Sequence, residues 1–222
     1  MKKIIIILLL LQSCLVFGQE NTFQKEWNFG VNAGITMSKI RFFPSISQVQ
    51  LLQEAGGISV RYISEKNFGI QAELNYSMRG WKEKTDTLGN RNKYSRSLYY
   101  IELPIMTYVY FDLGKRTRLI FLAGPQIGYN LGEKILEKEI YHDEEIVAEE
   151  PKYYNRLVQR KLDYGILGGT GLELRTGIGN IIVDGRYYFG LSDIFNNRRS
   201  DDHQSSSNQV LEIKLTYFFK VR

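Results

Sequence analysis

Nine ionisable side chains carry most of the chemistry this sequence has to offer: Arg61, Glu73, Arg79, Glu102, Glu173, Asp184, Arg186, Glu212 and Lys214. Each sits within a segment where apolar residues recur at every second position. In extended chain that spacing puts the charges on the face opposite an apolar row. Roughly balanced in sign and gathered in one enclosed space, they would form a paired network, because an unpaired buried charge is costly. Lining a narrow wet path, the same residues would instead pass ions. Gly165, Gly169 and Gly171 share that charged face and make room there for bulky neighbours such as Arg186 or Tyr100.

Other reactive types fall between these segments. His142 and His203 are the only histidines. His203, beside Asp201, Asp202 and Ser205, has the residue types of a hydrolytic group, yet nothing in that polar stretch fixes a geometry. Asp143, Glu144, Glu145, Glu149 and Glu150 supply hard oxygen ligands of the kind calcium takes, without EF-hand spacing. With Arg156, Arg160 and Lys161 on the return arm they read as a solvated hairpin. There, Ile135, Ile140, Tyr153, Tyr154, Leu157 and Val158 would pair and offer a contact surface. No metal-ligand spacing or Gly-rich phosphate loop occurs, so neither a cofactor nor a catalytic residue is expected.

The elements that must position the charges are strands, because the period is two. Alternation runs through Trp27 to Met37, Gly57 to Ser64, Phe68 to Trp81, Leu98 to Phe111, Leu119 to Leu131, Leu162 to Leu174, Ile181 to Leu191 and Gln209 to Phe219. The connections alternate in length. Glu65 to Asn67, Asp112 to Thr117 and Thr176 to Asn180 are tight. Ser38 to Gly56, Lys82 to Ser97, Gly132 to Lys161 and Ser192 to Asn208 are long. Short turns at one end and long loops at the other are the rhythm of an up-and-down membrane barrel.

The chain ends and the composition agree. Residues 1–19 read as a secretory signal peptide: Lys2 and Lys3, an apolar run from Ile4 to Leu11, then Phe17-Gly18-Gln19. Cys14, the only cysteine, leaves with that segment or, on a second reading, takes a lipid. Losing Lys2 and Lys3 lowers the formal charge from +5 to about +3, too small and too scattered for a nucleic-acid partner.

A secreted soluble sandwich would bury the apolar rows and expose the charges. The rows are long, however, and close on aromatics: Tyr76, Tyr99, Phe111, Tyr129, Tyr187 and Phe219. Such aromatics suit the two edges of a lipid-facing band. The expectation is an all-β, eight-stranded antiparallel up-and-down transmembrane β-barrel over residues 20–222. Its apolar rows would touch outer-membrane lipid, and a protein partner would meet the 132–161 loop or the periplasmic turns.

The segment Gly69-Ile70-Gln71-Ala72-Glu73-Leu74-Asn75-Tyr76-Ser77-Met78-Arg79-Gly80 resembles a strand of the PorT-like outer-membrane β-barrel family. So do Tyr100-Ile101-Glu102-Leu103-Pro104-Ile105 and the run from Phe121 to Tyr129. The stretches Gly168 to Leu174 and Arg186 to Leu191 are similar too. These motifs are strand patterns and mark fold more than activity. The resemblance implies an outer-membrane location and an accessory part in protein secretion. It brings no catalytic residues with it, and it leaves a narrow solute pore, or a membrane-embedded hydrolase or acyltransferase, as alternatives.

Overall fold

The computed structural model describes residues 24–85, 92–140, 154, 156–196 and 205–219. The expected signal segment, Cys14, both histidines, Asp201, Asp202 and the acidic run 143–150 lie outside the described residues.

The strands are β1 (Glu26–Phe43), β2 (Gln48–Val49), β3 (Leu51–Glu65), β4 (Phe68–Glu83), β5 (Lys93–Asp112), β6 (Thr117–Glu139), β7 (Leu162–Arg175), β8 (Gly179–Asp193) and β9 (Ser205–Phe219). All pairings are antiparallel, and β1 pairs with both β3 and β9 while β4 pairs with β5. The sheet therefore closes into an eight-stranded ring, with two-residue β2 added on β4. Closure leaves the ring without an open edge, as a structure crossing hydrocarbon requires.

Several strands run well into the stretches that sequence spacing assigns to long loops. β1 continues to Phe43, β3 starts at Leu51, β4 reaches Glu83, β5 starts at Lys93 and β6 ends at Glu139. The physical reason lies in the pairing. β5 and β6 stay hydrogen-bonded out to Lys93 and Glu139, while β6 leaves β7 at Tyr129. Bulges near Ser95 and Tyr99 shift the register there, so the apolar–polar alternation breaks although the ladder continues. At the opposite end the turns are short. The β3–β4 turn is Lys66–Asn67, with Asn67 at φ 69°, a left-handed conformation that asparagine tolerates better than most residues.

Period two sorts the side chains cleanly. On β5, Tyr100, Glu102, Met106, Tyr108 and Tyr110 point inward and are buried; Ile101, Leu103, Ile105 and Phe111 point outward and are about half exposed. The outward apolar row of β1 runs from Trp27 to Met37 and then gives way to Lys39 and Arg41. Eleven residues at a tilt near 40° climb about 28 Å, matching a hydrocarbon core. No helix among the described residues is long and apolar enough to cross a membrane, so any crossing is made by strands.

Candidate functional site

The barrel interior is built from the inward row of every strand. Near the loop end of its charged section, Arg79 Nη2 lies 2.8 Å from Asp163 Oδ2 and Nη1 3.3 Å from Glu102 Oε1. Asp163 also accepts from the Tyr188 hydroxyl at 2.9 Å and from Ser192 Oγ at 2.5 Å. The Arg79 guanidinium stacks 3.6 Å from the centre of the Tyr100 ring, which adds a cation–π contact in a desolvated place.

One step toward the turn end, Arg186 grips Asp184 with Nε at 2.5 Å and Nη2 at 3.0 Å. Its Nη1 reaches Glu73 Oε2 at 2.8 Å. Lys214 Nζ meets the same oxygen at 3.1 Å and Glu212 Oε2 at 3.8 Å. Gln71 and Asn75 donate to the Glu73 carboxylate at 2.8 and 3.0 Å. Asp184 and Arg186, like Gln71, Glu73 and Asn75, are neighbours because residues two apart on a strand stand side by side.

Lower still, Arg61 Nη2 pairs with Glu173 Oε1 at 2.9 Å, between the rings of Tyr108 and Phe218. The Tyr108 hydroxyl donates to the other Glu173 oxygen, and Arg118 Nη1 stands 3.7 Å from it. All nine residues singled out from the sequence thus lie inside the ring, each 2% exposed or less. They fall into these linked groups rather than one chain.

Asp163, Tyr108, Tyr188 and Ser192 join them. The sequence carries a signal for the first: Asp163 has the parity of Glu173 on β7. Tyr108 and Tyr188 likewise share the parity of Glu102 on β5 and Arg186 on β8.

Glycines make the space. A Cβ on Gly169 would stand 2.6 Å from the Gly185 carbonyl oxygen and 2.9 Å from Arg186 Cγ, so glycine is what lets the Arg186 stem pack this closely against β7. Gly165 gives the same room to the Tyr188 ring, and Gly128 to Tyr100 and Arg79.

Apolar side chains close both ends. Toward the turns, Ile63, Met106, Tyr110, Ile120, Leu122, Ile182 and Phe218 are among a buried cluster. Toward the loops, Ile40, Phe42, Trp81, Tyr94, Leu98, Tyr154 and Phe195 are among another. Tyr154, expected on a surface hairpin, instead stacks on Tyr94 with ring centres 3.9 Å apart and donates to Glu83 at 2.7 Å. Arg96 binds the Tyr154 carbonyl and pairs with Glu133 at 3.0 Å, tying the loop to the mouth. Leu157 does remain exposed.

The family model for the outer membrane protein beta-barrel domain matches residues 17–196. The chain belongs to that family. Its solved structural neighbours are barrels of the same membrane. Neisserial surface protein A is 11% identical, with a TM-score of 0.49 over 90% of this chain and 100% of that one. OprG from Pseudomonas aeruginosa is 10% identical, with a TM-score of 0.45 over 89% and 98%. The outer membrane enzyme PagL is 12% identical, with a TM-score of 0.43 over 86% and 99%. No curated protein matches. This outer-membrane barrel therefore has its half-exposed apolar belt in lipid and its charged rows inside, and by the family's usual orientation its short turns face the periplasm.

Proposed function

We propose that this outer-membrane barrel is a non-conducting anchor and interaction module, without catalytic activity of its own, that serves protein secretion as an accessory. The observation that carries the first part is the filling of the interior: ion-paired groups in the middle and apolar clusters at either end. Ions need a hydrated route, and an eight-stranded ring is only wide enough for its own side chains. Reconstituted into a planar bilayer, the protein is expected to show no discrete openings. Reproducible steps that vanish when Arg186 or Glu102 is replaced would make the narrow-pore reading correct instead.

The secretion role rests on the PorT-like strand patterns, Gly69 to Gly80 foremost. The partner surface belongs at the loop end or on the periplasmic turns, since the belt between them is occupied by lipid. Deleting the gene is expected to deplete a subset of secreted and surface proteins while the outer membrane stays intact. An unchanged set of exported proteins would remove this role and leave the anchor alone.

A further inference from the structure

The periplasmic mouth contains a cavity of about 500 Å³ where the start of β1 faces the β7–β8 turn. Lys25, Asn28, Arg118, Arg175 and Asn180 are among the residues that line it. Two of its donors lack acceptors: the Asn28 amide nitrogen and Arg175 Nε are buried and make no hydrogen bond among the described residues. Asn28 is only 8% exposed, so open solvent does not readily serve it. Leaving such groups unmet is costly, and it marks a place where an acceptor is wanted.

The charges point the same way. Arg118 and Arg175 share one carboxylate, that of Asp112, at 3.0 and 3.6 Å. Glu173, the next acid near Arg118, is already held by Arg61 at 2.9 Å. Among the described residues Lys25 forms no ion pair, and Glu26 is the sole acid on the lining. Counted over the described residues, the mouth is therefore short of one negative charge and of oxygen acceptors. A planar two-oxygen anion fits a guanidinium edge beside a primary amide.

We propose that the periplasmic mouth binds a peptide carboxylate, with Arg175 and Asn28 as donors and Lys25 at the rim. This goes beyond the anchoring role and does not depend on whether the lumen conducts. A test uses the full-length protein in lipid nanodiscs and titrates N-acetyl-trialanine with a free carboxyl end, against the same peptide amidated. The free acid is expected to bind and the amide to bind on the order of tenfold more weakly or not at all. Arg175→Gln should weaken the acid by about tenfold. Lys25→Gln should weaken it by about threefold, and because Lys25 is exposed ahead of β1 that change leaves the barrel's folding alone.

A parallel arm replaces the linear peptide with a soluble stem peptide of the cell wall. Tighter binding by the stem peptide identifies the wall as the source of the carboxylate, and tighter binding by the linear acid identifies a protein end. Equal affinity for acid and amide, or a dissociation constant untouched by both substitutions, would overturn the proposal. So would the absence of any binding.

Discussion

Replacing Arg186 with methionine is expected to destabilise the barrel by about 3–5 kcal/mol, the usual cost of removing one partner from a buried ionic group. The reason is local. Arg186 offers three nitrogens to two carboxylates, at 2.5 and 3.0 Å to Asp184 and 2.8 Å to Glu73. Without it Glu73 keeps Lys214 at 3.1 Å, but Asp184 has no other cation among the ion pairs of the described residues. Arg186→Lys should fall between, because an ammonium cannot make the two-pronged contact with Asp184. Adding Asp184→Asn to Arg186→Met should recover a sizeable part of the loss, since the stranded charge disappears with its partner. Urea unfolding in lipid vesicles, followed by tryptophan fluorescence, measures all four proteins. A loss under about 1 kcal/mol for the single change would mean that water reaches the pair and screens it as at a surface.

That network could be read ahead of the structure to an unusual degree, and the cause is geometric. A closed sheet turns sequence parity directly into inside or outside, so Glu73, Arg79, Glu102 and Arg186 fall inside by counting alone. Parity places Asp163 inside as well, since it stands ten positions before Glu173 on β7. What could not be read is which acid meets which base. Arg61 and Glu173 are 112 positions apart and meet across the lumen, not along a ladder, so their pairing depends on ring closure and stagger.

The loop end is less legible for a different reason. Beyond the lipid belt both faces of a strand can be polar, as in Lys93 to Ser97, and the alternation that reveals strands fades while the hydrogen-bonded ladder persists. Tyr154 shows the consequence. Between Tyr153 and Asn155, with Lys152 and Arg156 just beyond, it looks like a surface tyrosine, yet its ring completes the apolar cap above the lumen.

Leu103→Arg is the second large effect expected, at about 2–4 kcal/mol of lost stability in a bilayer. Leu103 faces outward near the middle of the β5 row, with Ile101 and Ile105 on either side along the strand and Ile127 across the ladder. An arginine there has to bury its guanidinium in hydrocarbon or stretch its side chain toward a distant headgroup, and the central position makes that stretch long. Leu113→Arg, at the exposed β5–β6 turn, should cost about 0–1 kcal/mol, as charged substitutions do near the interface. Leu157→Gln, in the outer connection, should likewise cost little, because its side chain is 71% exposed. Unfolding in vesicles gives the three values on one scale. The order of the two arginine changes follows from depth alone, since Leu103 and Leu113 are both exposed at their own surfaces and differ in the solvent that surface meets. Equal losses at all three positions would mean that the outward row does not meet hydrocarbon, and the direction of every inward charge would then have to be reversed.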